Sequence, residues 1–342
     1  MTAITRLEST ARALVAPGKG ILAADESFPT IAKRLQGVGV ESSEEVRRTY
    51  RQMLLTAPGS EEFISGAILF DETLRQKTDD GTPIPAAMKK MGIIPGIKVD
   101  TGAKPLAGTE DEKVTEGLDG LRARLEEYRG LGAGFAKWRA VIAIGHKIPS
   151  RYCIEANAHA LARYAALCQE QGIVPIVEPE VLMDGTHDIE RCYRVTRDTL
   201  RAVFSQLGLQ RVELSGMLLK PNMVISGKDC EQQAGVEEVA ARTVKCLMET
   251  VPAAVPGIVF LSGGQSDELA TAHLNAMNSG EPALPWELSF SYGRALQQPA
   301  LKAWGGKAEN IESGRKAFMH RARCNGAARY GRYDAKLEAG AA

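Results

Sequence analysis

Two hydrophobic rhythms take turns along the chain. Short, largely apolar runs alternate with longer stretches where apolar residues return every third or fourth place. The short runs cover 21–25, 65–71, 93–100, 134–142, 173–180, 216–224, 257–264 and 287–294. Each is too short for an ordinary helix, and a run such as 216–224, apolar on both faces, predicts a strand buried in a parallel sheet. The stretches between them have the helical period. Leu118, Leu121, Leu125 and Tyr128 form one stripe, and Ile154, Ala158, Leu161, Ala165 and Cys168 another. Leu200, Val203, Phe204 and Leu207 form a third, and Val236, Val239, Ala240, Val244 and Leu247 a fourth. A helical pattern also runs from Ile31 towards Thr56. Strand centres roughly 30–45 residues apart, separated by helices, predict an α/β fold of the (β/α)8 TIM-barrel type. An open doubly wound sheet is the competitor, but the early G-x-G-x-x-G turn of a dinucleotide fold is missing. One domain is expected over 1–333, with one or two extra helices after the last strand. The Ala/Gly-rich tail, 334–342, is expected to be loosely ordered.

Composition narrows the function classes. Basic and acidic side chains balance at 42 each, so nothing calls for nucleic acid or an anionic membrane, and any anion site must be local. No window approaches the ~18 apolar residues of a membrane span, and Met1 to Arg12 lacks a signal-peptide core. Six cysteines without a C-x-x-C pair fit a reducing compartment, and a cytoplasmic location is expected. Five histidines are scattered without ligand spacing, so no metal is expected.

The candidate chemistry lies at the ends of the strand runs. In a barrel of this kind the active site forms at the C-terminal ends of the strands. That rule gathers Asp25, Lys98, Lys137, Arg139, Glu178, Glu180, Lys220, Ser262 and Arg294. Lys137 and Arg139 are two apart and share a strand face, as do Glu178 and Glu180; Trp138 should then face outward, under a helix. Lys220 stands inside the apolar run Met217-Leu218-Leu219-Lys220-Pro221. Desolvation and a second cation, Lys137, would favour the neutral amine that attacks a carbonyl to form an imine. A glutamate in the cluster would move protons. Ser262-Gly263-Gly264 and Gly293-Arg294 follow the seventh and eighth strand runs, where such barrels commonly bind phosphate. Lys98 with Ser27 and Thr30 offers a second phosphate position across the mouth.

With these residues in place, the stretches 18–27, 96–100, 135–139, 175–180, 218–224, 261–266 and 289–297 resemble class I fructose-1,6-bisphosphate aldolase. The resemblance spans the chain to about Tyr333. It implies reversible cleavage of fructose 1,6-bisphosphate to dihydroxyacetone phosphate and glyceraldehyde 3-phosphate, without metal or cofactor, in a homotetramer. Matched by position, Lys220 is similar to the imine-forming lysine and Glu178 to the main acid/base. Glu180 supports Glu178, Lys137 stabilises charge during C–C cleavage, and Asp25 orients the intermediate. Ser262, Gly263, Gly293 and Arg294 match the site of the ketose C1 phosphate. Ser27, Thr30 and Lys98 match positions near the C6 phosphate, with Arg139 a further cation there.

Two departures stand out. Phe28-Pro29 occupies a place where many members carry small residues, which bears on the pose of the sugar's distal end. The sequence ends at Ala342 without the terminal tyrosine that assists proton transfer in well-known members, and Tyr330 and Tyr333 are not at the matching place. The rival readings are an imine-forming relative preferring sedoheptulose 1,7-bisphosphate or fructose 1-phosphate, and a non-catalytic scaffold.

Overall fold

The computed structural model describes residues 2–280 and 283–340; the last two residues of the tail, Ala341 and Ala342, lie outside them. The strands are β1 (Gly20–Ala24), β2 (Ile64–Leu69), β3 (Ile94–Lys98), β4 (Gly102–Pro105) and β5 (Lys113–Glu116). They continue with β6 (Phe135–Ile142), β7 (Val174–Val181), β8 (Leu218–Leu219), β9 (Gly257–Phe260) and β10 (Glu287–Tyr292). All but β4 and β5 pair in parallel and close into a barrel in the order β1-β10-β9-β8-β7-β6-β3-β2. The expected (β/α)8 TIM barrel is therefore what the chain builds, as a single domain.

Alternation along the strands sorts side chains between two cores. Ile21, Ala23, Ile68, Phe135, Val174, Ile176, Leu218 and Val259 fill the barrel interior. Leu7, Ala11, Leu14 and Val15, from the N-terminal helix Ala3–Leu14 and its end, pack into the same cluster and seal it. The outward residues meet the helices. Trp138, fully buried, lies 5.6 Å from the Tyr164 ring on helix Arg151–Glu170, as the alternation predicted. Gly96 in β3 makes room for Phe135: a Cβ there would lie 2.3 Å from its ring.

The structure departs from the pattern reading in four places. The helical stretch 31–56 is two helices, Phe28–Gln36 and Glu44–Leu55. Gly39 turns the chain at φ 74°, and the Ser43 hydroxyl accepts from Val46 N at 3.2 Å to start the second. The run 216–224 keeps only two ladder residues, because Pro221 has no N–H to offer a neighbour. Gly293 caps a helix that begins at Arg294, so the last strand stops at Tyr292. An antiparallel hairpin of β4 and β5, unannounced by periodicity, stands beside the mouth. Beyond Tyr333 the described residues form a short helix, Ala335–Ala339, whose Glu338 carboxylate accepts from Arg321 and Tyr333.

Candidate active site

Apolar layers inside the barrel give way to charge at its C-terminal end. On β7, Val174 and Ile176 lie in the interior cluster, and Glu178 and Glu180 continue that face upward. On β6, Phe135 precedes Lys137 and Arg139 in the same way. Leu218 leads to Lys220, and Ile21 and Ala23 lead to Asp25. The period of two therefore delivers these side chains to one place.

All thirteen residues singled out in the sequence line one mouth of about 710 Å³. At its floor Lys137 Nζ lies 2.7 Å from Asp25 Oδ2 and 3.1 Å from Glu178 Oε2. Lys220 Nζ lies 3.1 Å from Glu178 Oε1. The Glu178 carboxylate thus sits between the two lysine nitrogens, a placement the sequence reading did not specify. Lys137, Glu178 and Lys220 are each under 5% exposed. Burial alone would push the Asp25 carboxyl up, but Lys137 and then Lys220 outweigh it and hold Asp25 well below the usual range. Glu178 is lowered by the same balance. Burial works against the Lys137 ammonium, yet Asp25, Glu178 and Asp100 together raise its pKa. The floor is a network of mutually stabilised charges.

Towards the rim, Arg139 pairs with Glu180. Lys98 is held by Asp100, whose Oδ1 lies 2.7 Å from its Nζ and whose Oδ2 accepts from Arg139 N at 3.2 Å. Ser27 Oγ and Thr30 Oγ1 lie 3.2 Å apart, while the Phe28 ring is half exposed and meets Phe70 edge-on. Gly263 and Gly264 turn the chain after β9 with φ of 55° and 83°. The Arg294 guanidinium donates to the Gln265 carbonyl in that turn, tying the ends of β9 and β10 together.

Several lining residues escaped the strand-end rule. Arg34 sits within a helix and pairs with the buried Glu26, which Gln297 also bonds at 2.6 Å. Its only sequence signal is its place one turn after Thr30. Asp100 was visible as a second charge two residues past Lys98. Ser291, two before Gly293 on the same strand face, has a buried hydroxyl without a protein partner among the described residues. Neither Tyr330 nor Tyr333 lines the mouth. His320, Cys324 and Glu338 lie within 4.8 Å of one another, but Glu338 is already engaged by Arg321 and Tyr333, and none of the three lines the mouth.

A closed barrel with two lysines interleaved among carboxylates, and anion-binding turns after its last two strands, has the makeup of a carbonyl-processing lyase for phosphorylated compounds. The comparisons with known proteins narrow this class. The family model for fructose-bisphosphate aldolase class-I matches residues 6–342. A probable fructose-bisphosphate aldolase class 1 of Xanthomonas campestris is 65% identical, over 96% of this chain and 99% of that protein. The cytosolic fructose-bisphosphate aldolase 4 of Arabidopsis thaliana is 55% identical, over 95% and 83%. Among solved structures, a fructose-bisphosphate aldolase from Plasmodium falciparum, in complex with TRAP and a small molecule inhibitor, superposes with a TM-score of 0.96. It is 48% identical, with coverage of 97% and 96%. The chain belongs to the class I fructose-bisphosphate aldolase family. Its activity is the reversible cleavage of fructose 1,6-bisphosphate into dihydroxyacetone phosphate and glyceraldehyde 3-phosphate, and the rival readings are not favoured.

Proposed function

We propose that Lys220 is the residue that condenses with the ketose and that Glu178 carries the protons. The observation that supports this most directly is the carboxylate of Glu178 within 3.1 Å of Lys220 Nζ, both buried at the floor of the mouth. The ammonium must lose a proton before its nitrogen attacks the substrate carbonyl carbon, and Glu178 is the base in reach. The resulting carbinolamine loses its hydroxyl as water when that proton returns, leaving a cationic imine. Removal of the proton from the hydroxyl two carbons from the imine carbon turns that C–O into the aldehyde carbonyl and breaks the C–C bond between the two carbons. The electron pair flows into the imine to give an enamine, and the aldehyde departs. Lys137 stabilises the oxygen anion that develops in this step, and Asp25 orients the substrate hydroxyls. Glu180 restrains Arg139 beside Glu178. Ser262, Gly263, Gly293 and Arg294 take the phosphate nearer the imine, and Ser27, Thr30, Lys98 and Arg139 take the distal one.

Borohydride reduction with dihydroxyacetone phosphate, followed by peptide mapping, tests the assignment. A covalent adduct on Lys220 and turnover indifferent to chelators are expected; an adduct on any other lysine would falsify it. Residence in the cytoplasm is proposed by analogy with the cytosolic plant relatives. The described residues include no helix long and apolar enough to cross a membrane. Assembly as a homotetramer rests on the family alone, and sedimentation at working concentration tests it.

A further inference from the structure

Behind the turn after β9 lies a buried pair that the mechanism leaves unused. His273, on helix Asp267–Asn278, and Gln265, in the turn, are each about 95% or more buried. His273 Nδ1 lies 2.5 Å from Gln265 Oε1. The other end of the same amide donates from Nε2 to the Ser262 carbonyl at 2.8 Å, and Gln265 N donates to that carbonyl at 3.1 Å. The Gln265 carbonyl accepts from Arg294. One side chain and its backbone therefore join Ser262, the glycine turn and Arg294.

The direction of these bonds matters. Because the amide nitrogen donates to the Ser262 carbonyl and to the Met223 sulfur, its oxygen must face His273, so His273 has to be the donor through Nδ1–H. An imidazole with one nitrogen donating leaves the other as a bare acceptor. His273 Nε2 is buried and has no partner among the described residues. Burial keeps this ring neutral by pushing its pKa down to about 4. A buried imidazole half unsatisfied is costly unless its one bond secures something.

We infer that His273 and Gln265 act as positioning residues for the phosphate site, His273 fixing the amide of Gln265 so that Gln265 holds the Ser262 turn and Arg294 in register. This rests on the reading of Ser262, Gly263, Gly293 and Arg294 as phosphate ligands. Without a donor at position 273 the amide is free to rotate. Its oxygen would be left buried without a donor, the Gln265 side chain would lose its anchor against the helix, and the turn would lose its fixed spacing to Arg294. Asparagine at 273 places an amide N–H where Nδ1–H stands and should substitute, whereas leucine fills the space without donating.

The test compares His273→Leu, His273→Asn and Arg294→Ala in the full chain. Inhibition by inorganic phosphate and steady-state kinetics on fructose 1,6-bisphosphate are measured, and thermal melts confirm folding. For His273→Leu, KM and the phosphate inhibition constant should both rise about tenfold with kcat within about twofold. His273→Asn should restore both to near the parent values. Combining His273→Leu with Gln265→Met should add little to either alone, since both break one link. Unchanged phosphate inhibition in a folded His273→Leu, or equal damage from His273→Asn, overturns the inference. Should Arg294→Ala itself leave phosphate inhibition unchanged, the phosphate-site reading fails first and the inference falls with it. Should Arg294→Ala weaken inhibition while His273→Leu does not, the inference fails alone.

Discussion

Lys137→Met keeps a flexible stem of similar length in the barrel floor and deletes one charge. At an effective dielectric constant of about 20, contacts of 2.7 and 3.1 Å to Asp25 and Glu178 correspond to roughly 6 and 5 kcal/mol of gross attraction. Desolvation of the ammonium cancels much of this, and removing one member of a buried ionic group typically costs about 3–5 kcal/mol net. An unfolding entropy of about 2.1 cal/mol/K per residue gives roughly 0.7 kcal/mol/K for 342 residues, so Tm should fall by about 4–7 °C at pH 7. The pH dependence follows from the partners. Burial would raise Asp25 and Glu178, and Lys137 is the largest influence holding them below 3.8 and 4.5. Carboxyls depressed on folding stabilise the native state above their unfolded values and lose that contribution as pH falls through their native ones. The gap between parent and variant should therefore be full at neutral pH and narrow below about pH 4. In turnover, on the role proposed for Lys137, its loss should lower kcat by about 10²–10³. Differential scanning calorimetry across pH and single-turnover cleavage read the two effects. A variant that melts with the parent at pH 7, or cleaves within twofold of it, would refute the reasoning.

Three further outcomes are expected. Glu178→Gln preserves shape but cannot carry protons, and should cut kcat about 10²–10⁴-fold while the borohydride adduct still accumulates on Lys220, more slowly, in a quench-flow assay. His273 is depressed from 6.5 to about 4, so its contribution to stability is complete above pH 6.5 and declines as pH falls towards 4. Urea unfolding should show the parent losing about 1.5 kcal/mol more than His273→Asn between pH 6.5 and 5. Gly96→Ala drives a methyl into the Phe135 ring and should destabilise the barrel by about 1–3 kcal/mol, visible as a lower urea midpoint with unchanged slope.

What could be read from the sequence followed from periodicity. A period of two carried Lys137 and Glu178 inward and Trp138 outward without reference to any distant contact, so their placement was legible. The strand-end rule likewise gathered residues from seven separate strand runs. It was blind to Arg34, because a helix delivers that guanidinium, and a helical cation facing a pocket looks like any solvated one. The break between Gln36 and Glu44 was signalled by Gly37, Gly39 and Ser43, but apolar spacing on both sides masked it. Nor was the Lys220 environment fully legible. Sequence placed a second cation nearby, whereas only three-dimensional register shows a carboxylate lying between the two.

Among the described residues, helix Ala3–Leu14 plugs the bottom of the barrel, and the chamber opens at the mouth. On the proposed assignment, the sugar lies across the mouth with a phosphate on either side and its carbonyl lowest, and what is made at the floor leaves by the same mouth. On the role proposed for Lys220, the half tethered there lies behind the free aldehyde, which has to clear the passage before a second carbonyl compound approaches. Order of departure is thereby imposed by architecture, and a hole opened in the base by trimming Leu7 or Leu14 would admit water to the enamine without offering either product a way out.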